Sequence, residues 1–422
     1  MRDHELRRRA VGEMHLRRWP RLPVPCHIVQ WVLAVADEDR AGELAAIEAR
    51  AAGQDLVGNP THREGQLSAA ISFTWERQSE GSSLTLFAAG SDEAGFLDPA
   101  CDAELAAAID WARALPGEIV RSTRVWVGAD DAAIAPLLDR LPLNRDELVS
   151  SVIAGDIRMW SDFRIMPDGF GRLLVAANGA DRSDLARQIQ RLQELGNYRN
   201  KALLGLPVAR ECWPRLDRAE ARLRDLADRI ASNTARDDTL LGELSALALD
   251  LASISTATSF RMDATLAYGQ IVEELLDQLD SRPVPGFASL ADFTQRRFRP
   301  AMNTCRATVT RIERLAQRTQ QLASLLRARI ETHIENQNGE LLRRMERSSS
   351  MQARLQQLVE GLSTVALTYY LLGLVKYGLH ALPNGAAGMD DDHLVGLLVV
   401  PALGGVWATM HVLKKRLLAA AG

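Results

Sequence analysis

The chain is 422 residues long with 47% hydrophobic and 25% charged residues, a globular average that excludes wholesale disorder. A mean hydropathy of -0.11 excludes a polytopic protein built mostly of membrane spans. A net charge of -4 leaves no global basic field to recruit nucleic acid, so no nucleic-acid partner is expected. Of the 50 basic residues only Lys201, Lys376, Lys414 and Lys415 are lysines, a bias attributed to a GC-rich genome.

The first 21 residues hold seven arginines against three acids. They form no apolar run of the kind a secretory signal needs, so none is expected there. Their reading is structural, with arginines tethering the N-terminus to acidic helices. The cysteines Cys26, Cys101, Cys212 and Cys305 are far apart, which excludes CxxC metal or redox motifs and fits a reducing compartment.

Residues 1–180 alternate short β-like runs with helical ones. His27–Ala36 is β-branched and apolar and is followed by a helical run, 39–52. Residues 67–78 and 82–90 alternate apolar with polar side chains and read as hairpin partners. Gly117–Gly128 is another strand, and Ser150–Gly179 reads as two strands around a turn at Pro167, Asp168 and Gly169. Helices are predicted over 102–115 and 130–141. Hairpins with interposed helices predict an α+β layer with a mostly antiparallel or mixed sheet.

From Ser183 the period changes to 3.6, and Ser183 is the predicted N-cap. Long helices are expected over 183–204, 208–232 and 237–280, then a turn at Ser281–Phe287, which holds two prolines and a glycine. No proline lies between Ala301 and Leu382, so one helix is predicted from about Met302 onward. Its seam runs through Met302, Cys305, Val309, Ile312, Ala316, Thr319, Ala323, Leu326, Ile330, His333 and Gln337, with the 3/4 spacing of a coiled coil. This segment is the expected surface for a homo-oligomer or a protein partner.

Gly361–Leu382 is 22 residues with one lysine and one histidine, and Leu394–Leu413 is 20 residues with no formal charge. Each is long enough for a hydrocarbon core of about 30 Å at about 1.5 Å per residue. The connecting stretch carries Asp390, Asp391 and Asp392, whereas Lys414, Lys415 and Arg416 follow the second span and Arg343, Arg344, Arg347 and Arg354 precede the first. By the positive-inside rule both termini are expected in the cytoplasm of a bacterial cell, with the lipid bilayer contacted through 361–413.

The resulting fold class is an α+β N-terminal domain, a long-helix (coiled-coil-like) region and a C-terminal two-helix transmembrane hairpin. The predicted divisions are 1–180, the helical region 181–286, a stalk 287–360, spans 361–382 and 394–413 around an outer loop 383–393, and a basic tail 414–422.

No nucleophile elbow, phosphate-binding glycine loop or zinc-binding H-E-x-x-H occurs, so no catalytic, cofactor-binding or metal residue is assigned and no enzyme activity is expected. His4, His15, His27 and His62 lie near acids but read as chance placement, and the "DGFG" at Asp168–Gly171 reads as a β-turn.

Five stretches together resemble one bacterial family, the membrane-anchored proteins of domain of unknown function 3422. They are "DHELRR" at Asp3, "WSDFRIMPDGFGRLLV" at Trp160, "NYRNKALLGLPVAR" at Asn197, "RFRPAMNTC" at Arg297 and "RLQQLVEGLSTVALTYYLLGL" at Arg354. The resemblance implies a two-span C-terminal anchor and brings no activity. The family begins "HPLR" and continues with a "HARP" run, whereas this chain carries Glu5 and "HLRRWP"; a site built on those residues is altered here.

The functional expectation is a non-enzymatic scaffold or interaction protein at the bacterial inner membrane. The alternative is an oligomeric divalent cation channel on the plan of CorA-type transporters. That plan would turn Thr364, Thr368, Leu372, Val375 and Leu379 toward a pore by i, i+4 spacing, with Asp390, Asp391 and Asp392 at its outer mouth. The Gly-Met-Asn of such transporters is absent, the chain having Tyr377, Gly378 and Leu379 there.

Overall fold

A computed structural model describes residues 3–5, 7, 19–51, 61–380 and 391–420. The chain divides into two compact units, Met1–Ala323 and Ser324–Gly422.

The first unit is organised by one mixed nine-stranded sheet of order β2-β3-β4-β1-β5-β8-β7-β6-β9. Its strands are β1 (Cys26–Ala34), β2 (His62–Gln66), β3 (Ile71–Gln78), β4 (Gly81–Ala89), β5 (Glu118–Gly128), β6 (Val149–Ile153), β7 (Ile157–Ser161), β8 (Gly171–Ala176) and β9 (Arg282–Pro283). All neighbours are antiparallel except β5 and β8.

Three differences from the sequence reading have local causes. The segment 150–179 belongs to three strands, because Ala154 and Gly155 both take positive φ and close a tight β6–β7 hairpin. The strand β2, with no apolar alternation, is held by its pairing with β3. The expected turn after Ser281 contributes β9, which pairs with β6.

Side chains alternate between the two faces of the sheet, and both faces are covered. The helices are α1 (Arg40–Glu48), α2 (Glu93–Leu97), α3 (Ala103–Arg113), α4 (Asp131–Arg140), α5 (Arg182–Leu203), α6 (Gly205–Ser232), α7 (Asp237–Gln278), α8 (Leu290–His380) and α9 (Asp391–Ala420). On one face Ile28, Val125, Val127, Leu173 and Val175 form a core with Leu185, Ile189, Leu192 and Leu195 of α5, Met262 and Val272 of α7, and Phe298 and Met302 of α8. On the other, Val29, Trp31, Phe73, Trp75 and Leu84 pack with Ile47 of α1 and Leu105 and Ile109 of α3. Trp126, Trp160 and Leu174 pack there with Phe96 of α2 and Ile134 and Leu137 of α4.

Carboxylate caps start four of these helices. Asp92, Asp102 and Asp130 accept backbone N–H bonds at 2.8, 3.0 and 2.9 Å. The cap of α5 is Asp181 rather than Ser183: its carboxylate accepts both the backbone N–H and the hydroxyl of Ser183, at 2.9 and 2.6 Å. These bonds hold the Asp181 carboxyl below its ordinary range.

The helices α6 and α7 form a close pair. A methyl group on Gly205 would sit 2.2 Å from the Thr265 hydroxyl, so only glycine permits this approach. The heptad seam of α8 is real in its upper part but shifted at two steps: Cys305, Thr308, Ile312, Leu315, Thr319 and Leu326 are buried, whereas Ala316 is exposed. Thr308 replaces Val309 because its hydroxyl accepts the indole N–H of Trp213 on α6 at 3.0 Å. Arg311 adds ion pairs to Asp217 and Glu220 of α6 at 2.7 and 2.6 Å. His333 and Gln337 are exposed, and Gln337 Nε2 lies 3.1 Å from His333 Nε2 within the same helix.

The helix α8 begins at Leu290, earlier than predicted, and runs through Pro300 for 91 residues without interruption. The second unit consists of its C-terminal part and α9.

Candidate functional site

Three places concentrate features that packing alone does not require. The first is the pair of apolar C-terminal helical segments. On α8, Leu362, Val365, Tyr369, Tyr370, Leu374 and Tyr377 are exposed, and none of residues 396–413 on α9 is buried. Thr364 and Thr368 are buried, and their hydroxyls donate to the carbonyls of Glu360 and Thr364 at 2.8 and 2.7 Å. Leu372 on the same face is half-buried, while Val375 is 36% exposed. The side chain of Leu379 and all of Asp390 lie outside the described residues; Asp391 and Asp392 begin α9. Among the described residues three helices could cross a membrane by length and composition: α7, α8 through Gly378, and Gly396–Leu413.

The second place is a charged cluster on the α2 face of the sheet. The turn at Pro167–Gly169 aims Asp168 inward, where its carboxylate meets Arg172 at 2.5 Å and the fully buried Arg124 at 3.4 Å. Burial opposes ionisation of Asp168, but the bond and charge of Arg172, the Phe170 N–H and Arg124 outweigh it and hold the carboxyl below its usual range. Arg124 also donates to the Gly95 carbonyl at 2.7 Å and through Nε to His27 Nε2 at 3.3 Å. His27 packs edge-on against Phe96, with ring centroids 5.1 Å apart. Burial, then Arg124 and Arg172, push the His27 pKa well below its ordinary value, so the ring is neutral and accepts at Nε2. Asp168 is held by two guanidiniums and is not free to take a proton at neutral pH. The cluster is a clamp that fastens α2 to β1, β5 and β8.

The third place is a cleft on the α5 face, between β5, β8 and α5, of about 650 Å³ with its open mouth included. Arg121 of β5 lies flat on Gly196 of α5, where a methyl group would come within 2.7 Å of the guanidinium. Its Nη1 donates to Gln193 and Asn197 at 2.6 and 2.7 Å and more weakly to Gln30 at 3.4 Å. Arg199, 7% exposed, has its guanidinium carbon 4.4 Å from the ring centre of Phe163 and 5.3 Å from that of Phe293. Those two rings stack at 4.6 Å, and Phe163 holds a left-handed φ of 53°. Among the described residues the buried Arg199 Nη1 has no hydrogen-bond partner. Burial, and for Arg121 also the charge of Arg199, lower the two pKa values to about 9 and about 10.

None of these arginines stands out in the sequence. A usable signal existed: Arg199 falls on the stripe Leu192, Leu195 and Ala202, the core-facing side of α5. Of the histidines singled out from the sequence, His27 joins the clamp while His62 meets Glu64 at 2.9 Å on β2, and His15 lies outside the described residues. Among the described residues no group of three or more His, Cys, Asp or Glu side chains is arranged to hold a metal ion.

No curated protein and no solved structure matches the chain. The family described as "Protein of unknown function (DUF3422)" matches residues 2–417, nearly the whole chain, and the protein belongs to that family.

Proposed function

We propose that the protein is a non-enzymatic scaffold held at the bacterial inner membrane by a C-terminal hairpin. In this reading the end of α8 and α9 cross the bilayer, the first unit lies in the cytoplasm, and both termini share that side. The observation that carries it is the exposure of large apolar side chains along both segments, with none of residues 396–413 buried. Such a surface is stable against hydrocarbon and unstable against water. The flanking charges support the orientation, with Lys414, Lys415 and Arg416 after the second segment and aspartates before it.

Alkaline carbonate extraction of membranes tests the anchor. The full chain is expected to stay in the pellet, and a chain ending at Glu360 to leave it; release of the full chain would overturn the reading. Orientation is tested with a membrane-impermeant maleimide, since Cys101 is the exposed thiol and Cys26, Cys212 and Cys305 are buried. Labelling is expected only after the membrane is permeabilised, and labelling of intact cells would invert the topology. Particle mass in detergent separates the scaffold from the channel. A monomer or dimer fits the scaffold, because two or four spans enclose no pathway; a ring with ion flux in liposomes would replace it.

A further inference from the structure

The Arg121–Arg199 cleft is built in a way that costs the fold and that no function of an anchor explains. A guanidinium removed from water is normally matched with a carboxylate, because a buried charge without a partner is expensive. Here two are placed in one cleft and, among the described residues, neither is ion-paired with an acid. Among the described residues, the oxygens that Arg121 reaches are the side-chain amides of Gln193, Asn197 and Gln30. These neutral acceptors engage Nη1 alone and fix the plane of the group, which rests on Gly196.

Arg199 is held differently. It is sandwiched against the Phe163 and Phe293 rings, an arrangement that orients a cation without neutralising it. Its Nη1 is buried and, among the described residues, has no hydrogen-bond partner, and the residue lines the same cleft. Phe163, the ring that fixes it, takes a backbone conformation that side chains other than glycine rarely adopt. Its N–H is secured by the Ser161 hydroxyl at 3.0 Å.

The two guanidiniums repel, and the lowered pKa of Arg121 has the charge of Arg199 as its second cause after burial. An oxyanion between them would relieve both costs. Two fixed cations with no carboxylate call for a ligand carrying two negative charges, and planar forks match phosphate oxygens. The rest of the wall is mixed. Ser122, Thr123 and Asn200 line it, as do Arg164 and Arg172, whose charges are paired to Glu147 and Asp168. An apolar part is formed by the buried Leu192 and Leu195 and by Ile165, which is 78% exposed.

We propose that this cleft binds a phosphate monoester, with its dianionic head between Arg121 and Arg199 and its organic group along Leu192, Leu195 and Ile165. The proposal does not depend on how the chain meets a bilayer. A soluble organic phosphate and the headgroup of a phosphatidic acid both carry this chemistry.

The test is calorimetric titration of the full chain in detergent micelles with phenyl phosphate. Saturable binding of one molecule per chain is expected, tightening as pH rises from 5 to 7.5 through the second ionisation of the ester near pH 6. Arg199→Met is expected to weaken it at least tenfold, the loss of a charge-assisted bond. Should that variant misfold, Ile165→Glu serves, since it alters an exposed side chain and sets a negative charge at the mouth. It is expected to weaken binding about threefold or more at low salt. Absence of saturable binding would overturn the proposal, as would unchanged affinity in a folded Arg199→Met. Equal affinity for benzoate would also overturn it, because a monoanion would then suffice. Dihexanoyl phosphatidic acid, used below its micelle concentration, assigns the source. Tighter binding than phenyl phosphate supports a lipid headgroup, and weaker binding supports a free organic phosphate.

Discussion

The helix α7 and the apolar segment of α9 both have the length and composition of a membrane span, yet their side chains meet different surroundings. On α7 the apolar residues are concentrated: Leu240, Leu244, Leu247, Leu251 and Ile254 recur at steps of three and four, Met262 follows eight residues on, and all are buried. The opposite side carries acids, hydroxyls and small alanines, with Leu249 and Phe260 as the large apolar side chains exposed there. On α9 the successive apolar residues Leu397, Leu398, Val399 and Val400, about 100° apart, go round the helix, and all are exposed. A stripe can be satisfied by one neighbouring layer, whereas a helix apolar on every side needs an apolar solvent. Hydropathy averaged over a window does not separate these cases, and burial does.

Paired substitutions sharpen the contrast. Leu251→Ala on α7 should destabilise the first unit by about 2–5 kcal/mol, the cost of a core leucine, read from chemical denaturation. Leu403→Ala on α9 should leave that transition within about 0.5 kcal/mol. Equal effects would remove the distinction. Val400→Asp, at a 78% exposed position, should cost about 2.5–3.5 kcal/mol of membrane insertion and appear as protein released on carbonate extraction. Unchanged retention would mean that this face of α9 does not meet lipid.

A smaller effect separates the sheet from the C-terminal helices by pH. His27 has a lowered folded pKa, so below its unfolded value of about 6.5 the unfolded chain binds a proton that the folded chain refuses. Stability is therefore full above that pH and falls as pH drops, approaching about 1.4 kcal/mol per pH unit for one proton. Asp168, also lowered, adds its loss only in the acid range below the ordinary carboxylate value. Denaturation of the first unit should show this slope between pH 6.5 and 5, and His27→Gln should flatten it. The smallest change is expected from Arg311→Ala. Its pairs with Asp217 and Glu220 are partly exposed and worth about 0.5–1 kcal/mol together, and that difference should shrink in high salt.

The parts of the fold that were legible are those where one local rule decides. The alternation in β3 and β4, the Pro167–Gly169 turn and the 3.6 period of α5, α6 and α7 all lie within single segments. The rest depends on partners distant in the chain. The strand β2 reads "HREGQ" and has no strand pattern until β3 lies beside it. Thr308 enters the α8 seam because Trp213 of α6 supplies a donor. The arginine cleft joins residues 121, 163, 199 and 293 and hides within a composition rich in arginine throughout. Its one local trace is a cation on the buried side of α5.

The two ends of the nine-stranded sheet have a consequence for self-association. An open sheet edge offers unpaired backbone groups to any passing strand. One edge here is β9, two residues long and ending in Pro283, which has no N–H to give. The other is β2, five residues with His62, Arg63 and Glu64 side by side, and a bridge from Ala51 to Gly65 occupies part of its free side. Neither edge can template a growing ribbon. Copies of this protein crowded together at high local concentration are thereby protected from fusing their sheets.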